Sequence, residues 1–296
     1  MTFNNFKNLC NKIGVKFEEK EVKKNNGMIK KGLVLDFGTE DNPNNLRPTI
    51  YEDMIEQIDE IKAYTQIMKC KEEANKSTVD LSDLMSNSDW VRTRLRVAIR
   101  NREMNNFDED TVRTVCHKPF DDLEEYYYIN LTDDDMKKLG CSAEWEGLAS
   151  MKINTHLMKA YGYKKEWIRA NARNNTRKLI KIEPMSAVLT ELMGVPFDEE
   201  IPLYDEINDT LWIATVEDNH LGAAALLYDD ILKAFATEHN MEVFAVIPSS
   251  IHEVLIVKVK SFDEMKNINK MIKEVNETHV AENEILGNNA YLITNE

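Results

Sequence analysis

Residues 211–260 read LWIATVEDNHLGAAALLYDDILKAFATEHNMEVFAVIPSSIHEVLIVKVK, and the order of the apolar runs in this stretch decides the class of fold. LWIATVED (211–218), MEVFAVIP (241–248) and EVLIVKV (253–259) are short apolar runs bounded by turn residues, the pattern of buried strands. The first two are separated by 220–240, long enough to hold a helix. The second and third are separated only by a tight turn, so they are expected to form an antiparallel hairpin. SFDEMKNINKMIKEVNETH (261–279) then reads as a helix, with Ser261 and Glu264 spaced as a capping box. The expected C-terminal unit is therefore β-α-β-β-α.

Working outward, the first 68 residues read as an αββα unit. Phe3, Phe6, Leu9 and Ile13 fall at helical spacing and Gly14 stops the helix. VKFEEKEV and MIKKGLVLDF flank Lys24-Asn25-Asn26-Gly27, a strong hairpin signal. TIYEDMIEQIDEIKAY (49–64) reads as one helix with Ile50, Met54, Ile55, Ile58 and Ile61 on its apolar face. Residues 69–88 are polar and weakly periodic and read as a linker. In 89–196, Ser88 or Asp89 caps an expected helix through WVRTRLRVAIRNREM (90–104). TVRTVCHKP (111–119) and EYYYINL (125–131) read as strands, and a helical stretch from Asp133 is interrupted at Gly140, Gly147 and Gly162. YKKEWIRANARNNTRKLIKI (163–182) reads as helical in its first half, with Asn174-Asn175-Thr176 as a candidate end. SAVLTELMG (186–194) reads as a short helix with Gly194 as its cap. The class is α+β: an N-terminal αββα unit (1–68), a linker (69–88), a mostly helical middle (89–196) and an α+β domain with an antiparallel hairpin (197–296).

Charge supports the last boundary. The chain of 296 residues has a net charge of −15, yet 197–296 holds 20 acids and 6 bases, against 32 acids and 31 bases before it. Composition and chain-breaking residues change together at Gly194-Val195-Pro196. No apolar run reaches the 18 or more residues that a membrane span needs, and the N-terminus lacks the pattern of an export signal. Cys10, Cys70, Cys116 and Cys141 lie far apart with no C-x-x-C pair, as free thiols of a reducing cytoplasm do.

Three constellations are candidates for chemistry. In Ser249-Ser250-Ile251-His252-Glu253, nucleophile, base and carboxylate stand within five residues, with His220 as a candidate partner from the preceding strand–helix junction. The competing reading is a turn in which the serines bond the backbone, and no G-x-S-x-G elbow is present. Small residues at Gly222-Ala223-Ala224-Ala225 suit close packing; they lack the pattern of a dinucleotide fingerprint or a phosphate loop. No histidine pair at i,i+4 points to a metal, and Asp133-Asp134-Asp135 reads as a helix N-terminus. Neither a metal nor a cofactor is expected.

The third constellation is basic. Between Lys152 and Lys181 there are nine bases and one acid, Glu166. Lys165, Arg169, Arg173, Arg177 and Lys181 recur every four residues, a spacing that drifts about 40° per step on a helix and gives one slowly turning stripe. Trp167 lies beside it, and Arg92, Arg96 and Arg100 repeat the comb earlier. Such a stripe suits nucleic-acid backbone. It equally suits a solvated face, an acidic protein surface, or this chain's own acidic third, within or between subunits.

The segments NNGMIKKGLVL (25–35), RPTIYEDMIEQI (47–58), INTHLMKAYGYKKEWIRANARNNTRKL (153–179), NHLGAAALLYDDIL (219–232) and VIPSSIHEVLIV (246–257) resemble a family of uncharacterised bacterial proteins. That family is found mainly in Gram-positive anaerobes and their mobile elements and is known only as a domain of unknown function. The resemblance covers most of the chain and is strongest over 211–280. It implies a bacterial cytoplasmic or mobile-element origin and no activity. The family pattern has Tyr-Pro-Gly where this chain has Tyr228-Asp229-Asp230, and a middle helix poorer in arginine. The expected function is that of a non-enzymatic binding or regulatory protein acting through protein contacts or self-association. A mobile-element or phage-encoded inhibitor of a host defence system is one form of it. The alternatives are a nucleic-acid-associated protein using Arg169, Arg173 and Arg177, and an enzyme around His220, Ser249, Ser250 and His252.

Overall fold

A computed structural model of the chain describes residues 1–38, 47–76, 79–105, 110–139, 150–188, 210–259 and 262–295. It divides into two units: one of Met1–Leu95, Ile129–Met151 and Lys159–Gly162, the other of Arg96–Tyr128, Lys152–Met158 and Tyr163–Glu296. The class is α+β, with antiparallel sheets.

In the first unit, α1 (Phe3–Lys12) starts at Thr2, whose hydroxyl accepts the Asn5 N–H, and ends before Gly14 at φ +70. β1 (Lys16–Lys23) and β2 (Ile29–Asp36) form the expected hairpin, paired from Lys16↔Asp36 to Lys23↔Ile29. Asn26 and Gly27 take the positive φ that this turn requires, 58° and 76°. Residues 49–64 are not one helix. Ile50 lies in β3 (Thr49–Tyr51) opposite Leu33, α2 (Glu52–Glu56) is one short turn, and α3 (Glu60–Lys76) starts afresh where the Asp59 carboxylate accepts the Lys62 N–H at 2.7 Å. On α3 the buried row is Ala63, Ile67, Cys70 and Ala74, packed with Phe6, Leu9, Leu33 and Ile55. That row turns Ile61 outward, against expectation: it is 80% exposed.

The stretch read as a linker is largely helical. α3 runs through Lys76, and α4 (Leu81–Ser86) follows from Asp80, whose carboxylate accepts the Ser82 N–H. α5 (Ser88–Arg94) is capped by Asn87, one residue earlier than read. At Leu95 the expected helix gives way to β4 (Leu95–Asn101). The alternation of Leu95, Val97 and Ile99 with Arg96, Ala98 and Arg100 has period two, and the branched Val97 and Ile99 favour extended backbone.

In the second unit, the short β5 (Arg113–Val115) pairs with β6 (Leu123–Asn130), and β4 flanks β6 on its other side. α6 (Asp133–Lys138), in the first unit, begins at the Asp133 cluster with Thr132 and Asp135 forming a capping box. Residues 150–152 are a strand, β7 (Ser150–Lys152), rather than part of a helix; α7 (Thr155–Ala160) follows. α8 (Lys165–Arg177) continues through Asn174 and Asn175.

The second sheet of this unit has the order β12-β10-β11-β9-β8. Its members are β8 (Ile180–Pro184), β9 (Leu211–Val216), β10 (Val243–Ile247), β11 (Val254–Lys258) and β12 (Tyr291–Thr294). The β10–β11 hairpin is as read, from Phe244↔Lys258 to Ile247↔Leu255. Between β9 and β10 lie a 3-10 segment (Gly222–Leu227) and α9 (Asp229–Glu238), and after β11 comes α10 (Phe262–Thr278). Two strands went unread, β12 beside β10 and β8 beside β9. The latter pairing, Ile180↔Val216 to Pro184↔Trp212, brings residues from before the Gly194–Pro196 break into the C-terminal sheet. The Gly140 and Gly147 interruptions, the end of the 186–194 helix with its Gly194 cap, and Ser261 lie outside the described residues.

Candidate functional site

The basic comb does not make a continuous free stripe. Lys181 leaves the helix for β8, where its ammonium pairs with Glu183 at 2.9 Å. On α8, Ile168, Ala172 and Thr176 face inward, which brings the neighbouring arginines against β6. Arg169 Nε and Arg173 Nε donate to the two oxygens of Glu125, whose side chain is fully buried. Burial works against the Arg169 charge, but Glu125 outweighs it and holds the guanidinium pKa above its ordinary value. Arg177 grips Asp230 with both terminal nitrogens, and the Lys165 ammonium donates to the Arg113 carbonyl at 2.6 Å. Trp167 stacks flat on Tyr163, ring centroids 5.0 Å apart.

The earlier comb is divided between elements. Arg92, on α5, pairs with Asp89 in the preceding turn. Arg96 and Arg100, two apart in strand period, share one face of β4. Arg100 is buried and donates to Glu124 at 2.9 Å, joined there by Arg113. Successive residues of a strand face opposite ways, so Glu124 and Glu125 send two buried carboxylates to the two faces of β6, each met by two arginines. In the first unit, Asp135 is a third buried carboxylate, met by Arg94, Trp90 and Thr132. Burial raises its carboxyl pKa, yet the bonds from Arg94, Thr132 and Trp90 prevail and hold it far below the ordinary carboxylate range.

The turn at 249–253 is built differently from a hydrolytic site. Ser249 and Ser250 hydroxyls both donate to Glu253 Oε1, at 2.9 and 2.8 Å, and Ser250 Oγ accepts the His252 N–H. Glu253 is thus engaged by the serines and does not orient a histidine; neither imidazole contacts a serine hydroxyl within hydrogen-bond range among the described interactions.

His252 and His220 do come together. Their ring centroids lie 5.5 Å apart, and the Leu221 N–H donates to His252 Nδ1 at 3.3 Å. Asn219 and Leu221, on either side of His220, both have left-handed backbone, φ 53 and 56. That is a strained conformation for a branched apolar residue. Gly222 follows because a Cβ there would stand 2.6 Å from the His252 carbonyl and 2.7 Å from the Val216 nitrogen. His220 Nε2 is buried with no hydrogen-bond partner among the described residues. Burial first, then the neighbouring His252, lower the His220 pKa below its ordinary 6.5, with Asp218 opposing. Tyr128 meets His220 edge-on at 6.4 Å, and Glu284 Oε1 stands 3.9 Å from His252 Nε2.

Sequence reasoning singled out the cations and the histidines by residue but missed Glu124, Glu125, Asp135, Tyr128 and Glu284. The signal for the first two was present: paired acids inside LEEYYYIN, an otherwise apolar strand, demand internal cations. Among the described residues, no group of three or more His, Cys, Asp or Glu side chains is arranged to hold a metal, and no helix is long and apolar enough to cross a membrane. Burial raises the Cys10 and Cys116 thiol pKa values to about 11 and about 12.

No curated protein and no solved structure matches the chain. A family model does match, over residues 4–294, and the protein belongs to that family of unknown function, DUF5688.

Proposed function

We propose that this is a non-enzymatic binding or regulatory protein that acts through a protein partner. The observation that carries the reading is the outer row of α3. Ile61, Tyr64 and Met68 are 80%, 46% and 37% exposed, at spacings i, i+3 and i+7. That is the spacing by which a helix lays anchor residues into an apolar groove of another protein, and grouped apolar residues on a surface mark contact sites more than scattered ones do. The arginines that suit a polyanion are engaged with the chain's own Glu124, Glu125 and Asp230, which weighs against a nucleic-acid role. A bacterial setting, and a mobile-element or phage origin with inhibition of a host defence system, rest on the sequence resemblance; an intracellular setting rests on it and on the scattered cysteines.

The test is a pull-down from host lysate with the wild-type chain and with an Ile61→Asp/Met68→Asp variant, at low and high salt, with and without nuclease. The reading expects a protein that survives nuclease and is lost with the variant. Nucleic acid as the sole ligand, released by high salt, overturns it.

A second reading, an enzyme centred on His220, is favoured by the adjacency of His220, after β9, and His252, before β11, with ring centroids 5.5 Å apart. Its test is turnover of small substrates by the purified chain, abolished by His220→Asn; the same rate in both chains removes it.

A further inference from the structure

The 219–222 turn is held in place by an imidazole nitrogen. Leu221, in its left-handed conformation, donates its N–H to His252 Nδ1 at 3.3 Å, and the Ala223 N–H reaches the Ile251 carbonyl at 3.3 Å. Thr215 Oγ1 donates to the His252 carbonyl at 2.8 Å and closes the other side. A nitrogen that accepts carries no proton, so neutral His252 has its hydrogen on Nε2, the end facing Glu284. A further proton can enter only at Nδ1, and there it sets a donor against the Leu221 donor. A proton on His220 instead places a charge 5.5 Å from the neighbouring ring, at a site where His220 Nε2 is already buried without a hydrogen-bond partner among the described residues. The charged and titratable groups around the pair are Asp218, which accepts the His220 N–H, Tyr128 from β6 with Arg96 beyond it, Glu253, bound to both serines, and Glu284.

We propose that His220 and His252 form an acid-sensitive latch. With both rings neutral, the strained 219–222 turn is held against the 250–252 turn; proton uptake breaks the Leu221–His252 bond and lets that turn relax. The device is independent of the partner-binding reading, since α3 takes no part in it.

Amide hydrogen exchange of the full chain, resolved by NMR from pH 7.5 to 5.0, tests it. The protection factor of the Leu221 amide removes the intrinsic pH dependence of exchange. It is expected to fall by more than about threefold between pH 7.5 and pH 5.0. The amides of β11 serve as the control and should not follow it. In His220→Asn/His252→Asn, whose second change keeps an acceptor near the Nδ1 position without titrating, the protection should be flat across the range. A wild-type change below threefold, a parallel loss in β11, or the same loss in the double variant each overturns the proposal.

Discussion

Replacing Arg169 and Arg173 together by methionine removes both cations from Glu125 while keeping apolar stems of similar length. The carboxylate is then left fully buried in β6 without the two cations that meet it among the described residues. Removing a partner from a buried ion pair costs about 3–5 kcal/mol. The single changes should cost less, about 1–2 kcal/mol each, for two reasons. Each leaves the other guanidinium on Glu125. The arginines themselves are 43% and 26% exposed, so solvent already screens part of their interaction. The double variant should therefore exceed the sum of the singles, with a coupling of about 1–2 kcal/mol. Urea unfolding followed by tryptophan fluorescence reads it: Trp167 on α8 and Trp212 in β9 both report on this unit. With a slope of about 3 kcal/mol/M, the double variant loses about 1–2 M in midpoint. Adding Glu125→Gln should restore part of the loss, because a buried amide is cheaper to leave unpaired than a buried charge. Additive single effects, or a double variant within about 1 kcal/mol of wild type, refute the clamp.

Asp135 gives an acid-side prediction. Its folded-state pKa is depressed below the ordinary 3.8, so its stabilisation is complete above that value and is lost as pH falls through and below it. Asp135→Asn should cost about 2–4 kcal/mol at pH 7 and flatten the decline of thermal midpoint below pH 4. Gly222→Ala forces a Cβ against the His252 carbonyl and the Val216 nitrogen, backbone atoms that cannot swing aside. It should destabilise the second unit by about 3 kcal/mol or more, measured by denaturant midpoint. Cys10 and Cys116, buried and with raised pKa values, should resist a thiol-reactive dye at pH 8 in the native chain and react on unfolding. Rapid native labelling at either position contradicts their packing.

The elements legible in the sequence are those decided locally. Asn26-Gly27 fixes the β1–β2 hairpin, Gly14 ends α1, and the tight 248–253 turn pairs β10 with β11. What was misread depends on distant partners. The 90–104 stretch carries arginines at helical spacing and apolar residues at strand spacing, and pairing with β6 decides between them. The outward turn of Ile61 follows from where Ala63 and Ile67 find their core. β8 and β12 are edge strands of five and four residues, too short to stand out until β9 and β10 offer them hydrogen bonds. The basic comb was visible as spacing, but its destination was not, because Glu125 lies 44 residues before Arg169. The histidine pair was easier to foresee, since both residues sit at junctions beside neighbouring antiparallel strands, β9 and β11.

The central claim is that the outer face of α3 is a protein-contact surface. The most direct measurement replaces Tyr64 with a photoreactive benzophenone amino acid in the full chain, expressed in its own host and irradiated there. The account predicts a covalent adduct with a second polypeptide, mapped by peptide mass to position 64 and lost when Ile61 and Met68 are both changed to aspartate. An adduct that survives those two changes, or label recovered only within its own chain or on nucleic acid, contradicts it.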